Sequence, residues 1–533
     1  MPTTRTCRIS GKEFIISDQE VALLEKLSPI IWGERFLIPL PTISPEERYR
    51  AKLTFKNYFF LFRTVDALTG EAIISGHPPD TRLSVFSLPH WWSDSWDPLD
   101  YGIDYAPWRS IIDQISTIWQ KVPVPALDNA YRDLENSDFV NGCWPSKDCY
   151  LTSNSAYNEK CLYGWFIFKS QNILDANYIT ECENCSYSQH LWKCYNIHSG
   201  WDSSECRDAR YVFSCYGCQN LLGCVWLKNQ KYQILNTPCT AEEFEFTLSR
   251  LGKDGKFRKD FEEKVQKLIQ TIWLEPRTLT GSIDSTGDFC YDSKNAYECY
   301  NIGNCEDVLY ITDSFHSYDS AHISLWWDTT RLSYDSIDVG LNISNVYFST
   351  TCWEGSLYNL YCHRCNNCQY IFGCSWLRNK QYCIFNKQYS KEEWESTVAT
   401  IIRQMMDEWT WGELLSPEYA SFAYNESLGV YFSPMNREEA MGKWFRWSDR
   451  VEVPPEGITK IIPWERLPEN IREIPDDILN WAIQCTKTGK LFQIQPLELE
   501  MHRRFSTPIS RIHPIERIKM ILGWDRREFG FDF

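Results

Sequence analysis

The sequence predicts a mainly β protein with additional α-helices, in which a duplicated β-solenoid body carries capping helices and small α+β terminal domains. One observation is a segment written twice: CYGCQNLLGCVWLKNQKYQIL at 215–235 recurs as CNNCQYIFGCSWLRNKQYCIF at 365–385, at a constant offset of 150 residues. Another is that 20 of the 22 cysteines lie between Cys143 and Cys383. Repetition at this scale defines an architecture before any single motif is weighed.

Length and charge set the first limits. At 533 residues the chain is long enough for several domains, and its net charge of −17 argues against a general nucleic-acid coat. The start, MPTTRTCRISGKEF, has no apolar core of a signal peptide, and no apolar run reaches membrane-spanning length. We therefore expect a cytoplasmic protein with reduced thiols and no membrane partner.

The two ends share a pattern. Residues 1–85 are predicted to form one small domain, with helices starting at Ser17 and Ser44, and residues 481–533 the other. Cys7-x-x-Ser10-Gly11-Lys12 matches Cys485-x-x-Thr488-Gly489-Lys490, and Pro45, Glu47 and Arg48 match Pro514, Glu516 and Arg517. Similar ends therefore surround a duplicated middle.

These ends resemble halves of a zinc ribbon that has lost its ligands. A zinc knuckle supplies two thiolates as Cys-x-x-Cys-Gly, but Ser10 and Thr488 replace the second cysteine. VDALTGEAIIS at 65–75 resembles a further knuckle, with Asp66 and Thr69 at the ligand positions. We predict degenerate zinc-ribbon-like domains that hold no metal.

Residues 86–142 are predicted to form an aromatic clasp and a helix. WWSDSWDPLDYGIDYAPW at 91–108 is aromatic and acidic, and the helix at 108–122 places five large apolar residues on one face. That face comprises Ile111, Ile112, Ile115, Ile118 and Trp119.

The body is predicted as a first β-solenoid half at 143–238, a helical insert at 239–284 and a second half at 285–388. Short runs of Tyr, Ile, Val, Cys and Ser are separated by Asn, Asp and Gly, which favours stacked strands with rungs of roughly 20 residues. A capping helix and a loop-rich segment follow at 389–480. Thr240 and Ser390, each with Glu three residues later, predict capping boxes at helices over 239–273 and 391–409.

The candidate metal ligands are Cys362, Cys365 and Cys368. Close thiol pairs suit zinc, and His363 lies within the same segment. Cys182 with Cys185 and Cys215 with Cys218 are lesser candidates. Val212 stands where Cys362 does in the other copy, so packed free thiols are the favoured interpretation, with zinc second and disulfides third.

Catalytic patterns are weak. A second hypothesis is a polysaccharide-acting β-helix enzyme, with carboxylates in a groove beside Trp326 and Trp327. Aspartate is also a common turn residue, and we favour that role for Asp313, Asp319, Asp328, Asp335 and Asp338. No recognisable catalytic arrangement surrounds His90, His198, His316 or His322, so no catalytic or cofactor-binding residue is assigned.

The ends carry the basic charge. Residues 486–527 hold nine Lys or Arg against four Asp or Glu. This predicts either nucleic-acid association through the C-terminal segment or, as we favour, a helix face that offsets an acidic body. The basic set is dominated by Arg503, Arg504, Arg511, Arg517, Lys519, Arg526 and Arg527.

Five motifs together resemble an uncharacterised protein family that is frequent in reduced-genome, uncultivated bacteria. They are CRISGKEF at 7–14, SPEERYRAKLTFKN at 44–57, WWSDSWDPLDYG at 91–102, GCVWLKNQKY at 223–232 and GCSWLRNKQY at 373–382. The resemblance covers nearly the whole chain and implies terminal ribbon-like domains around a Cys-rich repeat body. Some members carry a coenzyme A transferase label, which no residue pattern here supports.

The favoured function is that of a non-enzymatic, cytoplasmic binding or scaffold protein that uses the side of the solenoid. The expected partner is a protein, with self-association as one form of it. No cofactor is expected, and zinc is the alternative at the cysteine triplet.

Overall fold

The computed structural model describes residues 2–271, 277–325, 328–450, 458 and 460–523. The chain divides into two compact units that each combine separate segments. The first unit is Met1–Ala126 with Glu275–Ser448, and the second is Leu127–Leu274 with Asp449–Phe533. The N-terminal domain thus belongs with the second half of the body, and the C-terminal domain with the first half.

The α-helices lie mainly outside the body. In chain order they are α1 Asp18–Leu27, α2 Pro45–Leu53, α3 Leu88–Trp91, α4 Ile111–Lys121, α5 Ala241–Lys253, α6 Gly255–Thr271, α7 Lys391–Asp407, α8 Gly429–Phe432, α9 Arg437–Gly442, α10 Pro496–Phe505 and α11 Pro514–Leu522. Four of the five predicted core residues of α4 are buried, and Ile112 is half-buried.

The second unit contains a 12-stranded, mostly parallel sheet. Its strands are Leu134–Glu135, Asn141–Cys143, Ser146–Lys147, Tyr150–Ser155, Asn158–Phe168, Gln171–Thr180, Glu183–Trp192, Tyr195–Ser204, Arg207–Phe213, Gln219–Leu222, Lys231–Ile234 and Thr237–Pro238. A separate three-stranded sheet of Lys460–Ile462, Trp481–Gln484 and Leu491–Phe492 belongs to its C-terminal domain.

The body of the first unit has parallel sheets of four and ten strands. These strands are Leu279–Thr280, Gly287–Tyr291, Lys294–Tyr297, Cys299–Gly303, Glu306–Leu309, Thr312–Phe315, Ser317–Ser324, Thr330–Arg331, Tyr334–Ile337, Ile343–Tyr347, Leu357–Leu360, Gln369–Phe372, Gln381–Ile384 and Lys387–Gln388. Its N-terminal part has two-stranded pairs, formed by Thr3–Thr6 with Glu13–Ile16, Ile30–Ile31 with Glu34–Arg35, Phe62–Val65 with Ala72–Ser75, and Val85–Phe86 with Val124–Pro125.

Successive parallel strands are twelve residues apart, so that Cys161 pairs with Ile173 and Ile173 with Cys185. The spacing becomes thirteen where Tyr334 pairs with Tyr347. The predicted rung of roughly 20 residues is therefore wrong. Every third residue from Leu151 to Ser214 has a positive φ, so two extended residues alternate with one left-handed turn residue. The structure confirms the predicted class at the level of a mixed α/β protein with long parallel sheets.

Each body ends in the same way, as its duplicated sequence predicts. An antiparallel strand pairs with the last parallel one, through Gln233 with Pro238 in one copy and Cys383 with Gln388 in the other. A helix then starts with a capping box, as predicted for Thr240 with Glu243 and for Ser390 with Glu393. These helices, α5 and α7, pack against the last parallel strand of their own unit.

The knuckle motifs form three similar tight turns. The amide of Cys7 donates to the Lys12 carbonyl and that of Gly11 to the Cys7 carbonyl, and Cys485 with Gly489 repeats both bonds. Asp66 occupies the cysteine position in the third turn, where the Gly70 amide donates to its carbonyl. Glycine at each turn has a φ near +70°, which a side chain would strain.

Candidate functional sites

The predicted metal ligands Cys362, Cys365 and Cys368 are fully buried in the closing rungs of the first unit. Each thiol lies within hydrogen-bonding distance of the carbonyl two residues earlier, at 3.3, 3.5 and 3.2 Å respectively. Burial raises the pKa of the Cys362 and Cys368 thiols well above the usual value, which favours the protonated form over a metal-binding thiolate. Within the described residues, no group of three or more His, Cys, Asp or Glu side chains is placed to hold a metal ion.

The other body cysteines have the same structural role. The Cys161 thiol donates to the carbonyls of Glu159 and Ser170, and the Cys182 sulfur accepts the amide of Cys194. Ser170, one rung before Cys182, makes the equivalent bonds with its hydroxyl. All 22 cysteines are free thiols, so the arrangement is one of small side chains that bond to neighbouring rungs.

The carboxylates of the polysaccharide hypothesis have separate partners. Asp313 accepts from Asn301, Asp319 pairs with Lys26, and Asp328 pairs with His316. Four of the five, all except Asp328, have the left-handed conformation of the predicted turn residues. Trp326 and Trp327 lie outside the described residues.

Histidines make no catalytic relay among these contacts. His90 comes closest, because its Nδ1 atom lies 2.9 Å from the Ser87 hydroxyl and 2.8 Å from Asp66. A serine–histidine–aspartate triad needs the two partners on different ring nitrogens, whereas here they share one. His198 binds Ser186, and burial lowers its pKa well below the usual value.

A buried cluster of charges joins the N-terminal domain to the body within the first unit. The Arg48 guanidinium donates to the Tyr334 hydroxyl at 2.5 Å and lies 3.4 Å from Asp335. Lys52 lies 3.6 Å from Asp335, and burial lowers its pKa to about 8. Lys56 pairs with Asp338, which also accepts from Tyr58.

Glu20, on α1, completes this cluster. Its carboxylate lies 3.3 Å from the His322 ring, and both side chains are almost fully buried. Burial raises the pKa of Glu20 to about 7, although Arg48 opposes the shift. Two of the five aspartates that were predicted as turn residues, Asp335 and Asp338, therefore also anchor the N-terminal domain.

The second unit has a corresponding cluster around Arg517. This guanidinium is fully buried, 2.9 Å from Asp175 and 3.0 Å from Glu498, and it lies over the Tyr163 ring. Glu498 also accepts from the Tyr163 hydroxyl at 2.7 Å. Burial raises the pKa of Asp175 to about 7 and lowers that of His502 to about 3.

The residue pairs Glu20 with Arg48 and Glu498 with Arg517 occupy matching positions in the duplicated ends. The sequence contains this signal, because charged residues recur at fixed distances from Cys7 and Cys485. We interpreted the recurrence of Arg48 and Arg517 as basic surface, and the matching glutamates were missed. Buried charges are retained in pairs because an isolated one is costly.

Most of the C-terminal basic residues are engaged by the acidic groups of their own unit. Arg503 pairs with Asp476 and Arg511 with Glu469, while Lys519 pairs with Glu516. Arg526 and Arg527 lie outside the described residues. This pattern favours charge compensation over a free basic surface.

One exposed side of the second unit's body carries a ladder of aromatic and basic residues, which we call the exposed ladder. Trp192 and Tyr195 are about half-exposed, and the Lys193 ammonium lies 4.2 Å from the Trp192 ring centre. The 12-residue register places Arg207 beside Tyr195 and Tyr216 two rungs after Trp192. Aromatic and cationic side chains thus repeat along one surface.

Comparison of the chain with protein-family models, with curated proteins and with solved structures finds no match. Among the described residues, no helix has the length and apolar character to cross a membrane.

Proposed function

We propose that the protein is a non-enzymatic, cytoplasmic binding or scaffold protein whose bodies are β-solenoids. The regular register of twelve or thirteen residues and the left-handed turn at every third position support stacked rungs. Free thiols throughout the chain agree with a reducing compartment.

The observation that carries the binding role is the exposed ladder. Tryptophan, tyrosine and arginine dominate the energetics of protein interfaces, and here they recur on a rigid surface that needs no rearrangement to bind. The arginine and lysine contacts to Tyr195 and Trp192 hold these rings in place. A protein partner with a flat, partly acidic surface fits this chemistry.

Affinity capture with the full chain tests the role. We expect a partner retained by the unmodified protein to be lost from a Trp192→Ser/Tyr195→Gln double variant. Phe246→Ser is the matched control, because Phe246 is equally exposed but lies on α5. Retention by the double variant, or loss in the control, would count against the exposed ladder.

The enzyme and nucleic-acid hypotheses receive less support. The aspartates needed for catalysis are bound to separate partners, and Arg503, Arg511 and Arg517 are paired with carboxylates. Neither arrangement provides a free reactive cluster or a free basic surface.

A further inference from the structure

Three exposed tryptophans of the first unit stand at backbone positions that disfavour them. Trp409, Trp444 and Trp32 have φ values of 58°, 66° and 54°. Left-handed backbone suits glycine or asparagine, and a bulky residue there is strained. All three are more than half-exposed, so core packing does not account for their retention.

Trp409 ends α7 in a Schellman motif. The Thr410 amide donates to the Met405 carbonyl and the Trp409 amide to the Met406 carbonyl, so Trp409 occupies the position where glycine is usual. Its side chain is 91% exposed. Trp32 is the first residue of the two-residue turn Trp32-Gly33, where asparagine is preferred.

Trp32 and Trp409 belong to one apolar surface around the C-terminal half of α7. The hairpin with Trp32 packs on α7, where Arg403 pairs with Glu34. Gln404 donates to the Arg109 carbonyl, which brings the 84%-exposed Trp108 to the opposite side of the helix. We call this surface the tryptophan patch, and its exposed members are Ile30, Trp32, Leu37, Trp108, Met406 and Trp409.

The charges within the patch are balanced, although the chain carries −17 overall. Arg35, Arg109 and Arg403 stand against Glu34, Asp407 and Glu408. Two copies of a strongly anionic chain repel each other except where a neutral apolar surface meets its like. A two-fold axis through such a surface also brings arginines of one copy to carboxylates of the other.

We propose that the tryptophan patch is a self-association surface that takes the same patch of a second copy. It rests on the proposed binding role, and it assigns to that role a surface separate from the exposed ladder. Tryptophan and methionine are enriched in interface cores, and the strained tryptophans are explained by binding rather than by folding.

Light scattering over a range of concentrations, with the full chain, tests the proposal. We expect a dimer for the unmodified protein and at least a tenfold weaker dimer for Trp409→Gly and for Trp32→Asn. Both variants should melt at or above the temperature of the unmodified protein, because each relieves backbone strain. A stable but monomeric variant separates loss of the interface from loss of the fold.

Trp444→Gly is the matched control. Trp444 occupies the same Schellman position after α9, with the Phe445 amide donating to the Ala440 carbonyl. We expect it to leave the dimer unchanged. An unmodified protein that stays monomeric, or a dimer that survives both patch substitutions, would overturn the proposal. So would vesicle binding by a monomer that Trp409→Gly abolishes, since lipid would then be the occupant.

These outcomes are independent of the capture experiment on Trp192 and Tyr195. Failure of the dimer with retained partner capture would reject the patch alone, whereas loss of both would reject the binding role.

Discussion

The buried guanidinium of Arg517 neutralises two carboxylates that have no access to water. Removing it leaves Asp175 and Glu498 buried without a cation, and such a loss costs about 3–5 kcal/mol. We therefore expect Arg517→Met to lower the free energy of unfolding by this amount in urea titrations. Arg503→Met is the control, because its half-exposed pair with Asp476 contributes at most about 1 kcal/mol. Equal effects would show that the cluster does not hold the domain.

Glu20 makes stability depend on pH. Its pKa is about 7 in the folded protein and near 4.5 without burial, so the folded state binds the extra proton between these values. The contribution is complete below pH 4.5 and is lost as the pH rises through 7. Glu20→Gln should remove this decline, as the difference between the two unfolding curves at each pH would show. The exposed Glu25→Gln should retain it, and a parallel pair of curves for Glu20→Gln would contradict the assignment.

At the scale of the element, the cysteine triplet belongs to closing rungs that are held by hydrogen bonds. We expect no stoichiometric zinc by elemental analysis of protein purified under reducing conditions, and no change in melting temperature with a chelator. The reason is that buried, protonated thiols already bond to backbone carbonyls. Zinc that binds the unmodified protein and not Cys362→Ser would instead support the metal site.

The elements show where sequence reasoning succeeds. Capping boxes and apolar helix faces are local, so Thr240, Ser390 and the α4 face could be predicted. The rung length could not, because turn residues at every third position include Tyr, Lys and Glu as well as Asn and Asp. Residues outside the usual turn set hide the period, and only the strand register reveals it.

At the scale of the whole molecule, the division into units was not predictable from chain order. The N-terminal domain lies with residues 275–448, and the C-terminal domain with residues 127–274. Pairing of distant segments depends on tertiary contacts such as Arg48 with Asp335, whose partners are almost 300 residues apart. The duplicated Glu and Arg residues carried that information, but their burial was visible only in the structure.

This division predicts where a local lesion spreads. Arg517→Met should raise amide hydrogen exchange in peptides from 127–274 and 460–523, because these segments open together when their shared cluster is lost. Peptides from 2–126 and 277–448 should keep their protection, and Arg48→Met should give the reverse pattern. Mass spectrometry of exchanged peptides provides the measurement at the resolution of single elements. A uniform rise along the chain for either variant would mean that the two units open as one, which would contradict the proposed role of each cluster in its own unit.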